Sequence, residues 1–183
     1  MKVVWSTDIH LNFCKEEMNQ EFAQGIKCQT PDVLLIGGDI GEADSFVDHL
    51  QAFEWELQIP IYFVLGNHDA YGGSIYGMRK TAATLSRQSD FLKWLPEVDV
   101  VELTPEIGLV GHGGWGDGRL GSYYSSTVRL NDFKLIEELK GRSRDELLFR
   151  LTQLGDEAAA HGRYCQKLWM TVEGRRKNKK GVS

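Results

Sequence analysis

An α/β fold with a mostly parallel sheet covered by helices is the architecture this sequence predicts, and three observations carry the prediction. The first is a recurring design, an apolar run that stops at a polar or glycine turn and an acid: "KVVWSTD" at residues 2–8, "DVLLIGGD" at 32–39 and "IPIYFVLGNHD" at 59–69. The second lies between these runs. "KEEMNQEFAQGIKC" places Met18, Phe22 and Ile26 four apart, and "DSFVDHLQAFEWEL" places Phe46, Leu50, Phe53 and Leu57 at helical intervals. The third is that the strand runs are almost wholly apolar, as expected of a parallel sheet buried on both faces. Strand, helix, strand, helix, strand is the order produced when helices cross over between parallel strands.

Composition bounds the class. A chain of 183 residues, 42% hydrophobic and 26% charged, is sized and balanced for one globular domain, expected over residues 1–172. No stretch approaches the ~18 apolar residues of a membrane span, and the N-terminus lacks the apolar run and small-residue cleavage site of a secretory signal. A cytoplasmic protein with no membrane partner is expected. Cys14, Cys28 and Cys165 are odd in number and lack C-x-x-C spacing, which reads as free, buried or partly buried thiols and not as a disulfide framework or zinc knuckle. The net charge of -5 is uneven, because Arg175, Arg176, Lys177, Lys179 and Lys180 crowd the end and no acid follows Glu173. An acidic body with a short basic end is not a nucleic-acid-binding layout, which puts its cations on a folded face. Residues 173–183 read as a solvated, disordered tail, and nucleic acid is not an expected partner.

In an open parallel sheet the carboxyl ends of the strands share one edge, and ligands bind just beyond it. Asp8 and His10, then Asp39, then Asn67, His68 and Asp69 each follow a successive strand. Each block alone is a weak signal; the three in order are a specific one. Crowded together, Asp8, Asp39 and Asp69 would resist ionisation, since like charges raise carboxylate pKa values. Divalent cations remove that conflict, and a mixture of carboxylate, imidazole and amide oxygen suits manganese, iron or zinc better than magnesium or calcium. A shared carboxylate can bridge two cations about 3.5–4 Å apart, an arrangement that holds both oxygens of an in-line phosphoryl displacement. The plainer alternative is a set of polar surface turns.

D-x-H at Asp8 and His10, GGD at Gly37, Gly38 and Asp39, and GNHD at Gly66, Asn67, His68 and Asp69 resemble the first three sequence blocks of the calcineurin-like metallophosphoesterases. The resemblance implies an αββα sandwich and a phosphoesterase that hydrolyses a phosphomonoester or phosphodiester, with a small-molecule or nucleotide phosphoester as substrate. It implies two divalent metal ions as cofactors, manganese first, with iron, zinc or nickel as alternatives. Residue by residue, it implies that Asp8 and His10 hold the first metal, Asp39 bridges both and Asn67 binds the second. It further implies that His68 stands beside the metals as leaving-group acid or charge stabiliser, that Asp69 orients His68, and that a hydroxide held between the metals attacks.

The sequence departs from the family after these blocks. Members add a later histidine and a closing Gly-His-x-His block, whereas His10, His49, His68, His112 and His161 include no pair spaced His-x-His. His49 reads as a partly exposed helical residue and His161 as a residue near a helix end before Gly162, where an imidazolium favours the dipole. His112 lies in "IGLVGHGGWGDGRLGSYY", a strand running into a glycine-dense loop. It reads as part of a rim loop contacting substrate, with Trp115 as a wall for an organic group and Arg119 as a phosphate contact; a stand-in metal ligand and a structural turn are the other readings. "NDFKLIEELKG" and "SRDELLFRLTQLGDEAAAHGRYC" read as helices, the latter opened by a capping box of Ser143 and Glu146, and "KLWMTV" reads as a strand. The resemblance then implies a sandwich incomplete at its C-terminus, a second metal short of ligands, and exposed apolar surface that favours a homodimer. A metal-binding fragment or interaction module without catalysis is the alternative function.

Overall fold

The computed structural model describes the backbone of residues 1–180 and the side chains of residues 1–171. Strands form where apolar runs meet turn residues: β1 (Val3–Ser6), β2 (Val33–Ile36) and β3 (Ile61–Phe63), joined by β4 (Leu92–Trp94). All pair in parallel, in the order β1-β2-β3-β4. Helices α1 (Glu16–Cys28), α2 (Phe46–Leu57) and α3 (Ile75–Gln88) make the three crossovers. Helices α1 and α2 follow the predicted spacing, whereas α3 and β4 fall outside the predicted elements. The mixed α/β architecture with a parallel sheet agrees with the expected class.

The two faces of this sheet differ. Strand register aligns Leu34, Ile61 and Leu92 on one face, with Ile36 beside Phe63, and these residues are buried. Phe46, Leu50, Phe53 and Leu57 of α2 all pack into the same core, as their spacing predicts. On the opposite face Trp5 is 72% exposed, Val3 is exposed, and Leu35, Tyr62 and Lys93 are half-buried. The expectation of burial on both faces is therefore corrected. Four parallel strands laid down in sequential order step in one direction, so right-handed crossovers deliver every helix to the same side. In α1 only Ile26 of the Met18, Phe22, Ile26 set is fully buried.

After β4 the chain forms a two-stranded antiparallel ribbon, β5 (Val101–Thr104) with β6 (Ile107–Leu109), and then the glycine-dense loop. The segment expected as a helix over 131–141 is helical only in α4 (Asp132–Leu135), although Ile136 and Leu139 are fully buried beyond it. Helix α5 (Arg144–Lys180) follows. Its start is the expected capping box, in which Glu146 accepts from the Ser143 amide at 2.8 Å and donates its own amide to Ser143 Oγ at 3.3 Å. Leu147, Leu151 and Leu154, at helical spacing, add to the core.

Two expectations at this end are corrected. "KLWMTV" is helical and not a strand, because α5 runs on through Gly155 and Gly162 with no proline to stop it, and His161 lies mid-helix and not near a terminus. Trp169 from this stretch covers β6, where a Cβ on Gly108 would come within 2.6 Å of the indole. The backbone of α5 runs on to Lys180, while the side chains of the basic end expected as a tail, 173–183, lie outside the described residues. No helix among the described residues is long and apolar enough to cross a membrane.

The asymmetry of the sheet has a measurable consequence. Phe63→Ala should lower the unfolding free energy by about 3–5 kcal/mol and Trp5→Ala by less than about 1 kcal/mol in urea titrations. Equal losses would mean that the second face is packed as tightly as the first.

Candidate metal centre and adjoining cleft

The centre is built where the ends of β1, β2 and β3 meet. Asp8, His10 and Asp39 all adopt left-handed backbone, with φ of 53°, 44° and 51°. Such φ values cost a non-glycine residue on the order of 1–3 kcal/mol and persist only where the surroundings enforce them. Here the strand ladder continues into the loops: Asp8 N–H donates to Gly38 O, His10 N–H to Asp39 O and Leu11 N–H to Ile40 O.

Loops two and three are tied reciprocally. Asp69 is 0% exposed, and its carboxylate accepts from the backbone amides of Asp39 (3.0 Å), Ile40 (2.8 Å), Gly41 (3.0 Å) and Gly66 (2.8 Å). In return Asp39 Oδ1 accepts from the His68 amide at 3.0 Å. Only glycine fits at 66, since a Cβ there would lie 2.0 Å from Asp39 Oδ1. The expected Asp69–His68 pair is thus not formed, because the Asp69 oxygens are committed to amides and His68 Nδ1 has no partner. Burial pushes the Asp69 carboxyl up to about 6, with the Gly41, Gly66 and Ile40 amides pulling the other way.

This clasp brings His10, Asp39 and His68 together, and one donor atom from each lies within 4.8 Å of the others. The rings of His10 and His68 meet edge-on at 4.4 Å, and Tyr71 stacks on His68 at 4.2 Å. His10 and Asp39 fit a divalent cation on their own chemistry, with His68 beside them. His10 Nδ1 and His68 Nδ1 are buried and unpartnered, and His10 Nε2 stands 3.9 Å from Asp39 Oδ2, too far to hydrogen-bond and close enough to share an ion. Beside the cluster opens a cleft of about 740 Å³, whose lining includes Asn67, His68, Tyr71, Trp115, Arg129 and Asp132. Asn67 Nδ2 donates to Asp132 Oδ1 at 2.9 Å and to Tyr71 Oη at 3.1 Å, and Tyr71 Oη donates to the same Asp132 oxygen at 2.7 Å. Burial first, and then Asp132, raise the Tyr71 phenol and keep it protonated.

Of the remaining expected residues, Trp115 lines the cleft, while Asp8, His112 and Arg119 lie outside the cluster and the cleft lining. Asp8 is exposed, accepts from Thr7 Oγ1 at 2.6 Å and stands outside the three-residue cluster. His112 is not on the cleft. Its Nδ1 accepts from the Gly114 amide at 2.9 Å, its ring lies 5.3 Å from that of His161, and burial, then Arg79 and His161, lower its pKa. Its loop does reach the cleft through Gly113, Gly114, Trp115 and Gly116, and at Gly113 a Cβ would strike Leu65 O at 2.2 Å. Arg119, expected to contact phosphate, is instead held by Asp156 at 2.5 Å and Asp117 at 3.2 Å, away from the cleft lining. Cys14 and Cys165 are partly and fully buried free thiols, while Cys28 is exposed. Tyr71, Arg129 and Asp132 went unnoticed in the sequence; only Tyr71, two residues past GNHD, lay near a recognisable signal.

The family model of the calcineurin-like phosphoesterases matches residues 1–169, and the chain belongs to that family. Neither a curated protein nor a solved structure matches it.

A carboxyl titrating near 6 in the fold and near the ordinary value when unfolded holds its proton more tightly in the folded state. Its stabilising contribution is therefore full below the ordinary carboxylate range and is lost as pH rises through about 6. A carboxyl ¹³C titration of the metal-free protein should place Asp69 near 6; a midpoint near 4 would contradict the burial of this group.

Proposed function

We propose that this chain is a metal-dependent phosphoesterase that hydrolyses a phosphomonoester or phosphodiester of a small organic molecule, nucleotides included. The observation that carries the reading is the His10–Asp39–His68 cluster at the edge of a cleft that His68 also lines. His10, Asp39 and the amide oxygen of Asn67 would hold two divalent cations, manganese first, with iron, zinc or nickel accepted by the same donors. When bound, these cations neutralise charge on the phosphoryl oxygens and acidify water.

The chain's own residues supply the rest. His68 belongs to both cluster and cleft, and its ring is steadied by stacking on Tyr71. That position supports its expected role as leaving-group acid or charge stabiliser, and of the two we propose delivery of a proton to the leaving-group oxygen. Trp115, half-buried on the cleft, offers a wall to the organic group. Arg129 takes the place first given to Arg119: it lines the cleft, is exposed, and makes no ion pair or hydrogen bond among the described residues. A free guanidinium there suits a phosphoryl oxygen. The position of Asp8 outside the cluster favours a second reading, a domain that holds metal without turnover.

Manganese-stimulated hydrolysis of chromogenic phosphomonoesters and phosphodiesters by the purified chain separates the two. Asp39→Asn should abolish turnover and weaken manganese binding. His68→Ala should retain most of the metal affinity while lowering kcat by about 10²–10⁴-fold, with the smallest loss for the best leaving group. Loss of metal binding in His68→Ala would make His68 a ligand and not an acid, and a folded, manganese-loaded wild type without turnover would establish the second reading.

A further inference from the structure

The amide of Asn67 is useful to a cation only if its oxygen, and not its NH₂, faces the ion. Nothing in the amide itself decides that orientation, because its two ends have nearly the same shape. The partner decides it. Asp132 is a carboxylate 95% removed from solvent, and both Asn67 Nδ2 and Tyr71 Oη donate to its Oδ1. Asp132 Oδ1 accepts at this point, so the Asn67 NH₂ is drawn to Asp132 and the amide oxygen is left as the free polar atom.

Asp132 does not owe its own place to Asn67. The segment that carries it is fixed independently, by Ile136 and Leu139 buried in the core and by two backbone bonds to the loop before α3: Gly72 N–H to Leu135 O at 3.1 Å and Glu137 N–H to Gly73 O at 2.9 Å. The Glu138 carboxylate adds two bonds to the first amides of α3, at Ile75 and Tyr76. The anchor is thus held by contacts that do not pass through Asn67, and direction runs from Asp132 to the amide. Tyr71 links the same anchor to His68, since its hydroxyl bonds Asp132 and its ring stacks on the imidazole.

From these contacts we infer that Asp132 is the positioning residue of the phosphoester site, setting the Asn67 amide oxygen toward the cation and, through Tyr71, the plane of His68. The inference rests on the reading that Asn67 and His68 serve that site. It makes a residue 65 positions away from Asn67 in the chain part of the same device. Groups that orient a metal ligand in this way are typically worth about 10–100-fold in metal affinity or activity.

A double-mutant cycle on the full chain tests it, read by manganese titration calorimetry, by kcat and by the thermal midpoint. Asp132→Ala should weaken manganese binding and lower kcat by about 10–100-fold in the wild-type background. In an Asn67→Ala background the same change should alter manganese affinity by less than about threefold, because the group it orients is gone. Asp132→Asn, which keeps an acceptor oxygen but frees its orientation, should fall between wild type and alanine, and it serves as the test variant should Asp132→Ala fail to fold. Equal losses in both backgrounds would show that Asp132 acts only on the fold and would overturn the inference. So would an Asp132→Ala chain with unchanged metal binding when Asn67→Ala is impaired. Wild-type manganese binding and turnover in Asn67→Ala alone would instead remove the premise, the place of Asn67 in the site.

Discussion

Two carboxylates exchange backbone hydrogen bonds across the gap between the loops that follow β2 and β3, and the site depends on that exchange. Asp69 gathers amides from both loops into one buried carboxylate, and Asp39 accepts the amide of His68 from the other side. The clasp helps retain Asp39 at positive φ, while the continued strand ladder holds Asp8 and His10 there. It also separates the two acids. Asp69 answers to amides, leaving Asp39 to face the histidines. With the loops so fixed, His10, Asp39 and His68 arrive at one point from three strands without needing an ion to gather them.

Much of this was legible in the sequence, because much of it is local. Strands β1 to β3, helices α1 and α2 and the Ser143–Glu146 box follow from periodicity and cap chemistry within a few residues. The convergence of the three blocks follows from the rule that parallel strands present their ends together. What was not legible depends on distance. Nothing in "GNHD" tells whether the aspartate bonds its neighbouring histidine or the amides of another loop, and Asp132 meets Asn67 and Tyr71 across 65 and 61 positions. Arg119 and Arg129 stand in the same irregular region. Only the fold shows that acids neutralise the first and leave the second open to the cleft. "KLWMTV" failed for another reason: a short apolar run has no period long enough to separate strand from helix, and the unbroken helix before it decides.

The second half of the chain matters to the site more than its weaker motifs suggest. The glycine loop after β6 passes so close to the end of β3 that Gly113 touches Leu65 O, which places Trp115 on the cleft. The α4 segment delivers Asp132 from the same side, and the first turns of α5 complete the core beneath it. The centre is thus a product of the sheet edge, and the cleft a product of what folds over it. The sheet face carrying Trp5 lies away from this work and remains largely open among the described residues.

The most direct test of the account is anomalous diffraction from crystals of the chain grown with manganese. The account predicts a peak within coordinating distance of both His10 and Asp39, on the side that Asn67 and His68 face, with the four amide bonds to Asp69 intact. A peak elsewhere, or none at full manganese loading with the clasp still formed, would contradict the claim that these three loops are held together to bind a cation.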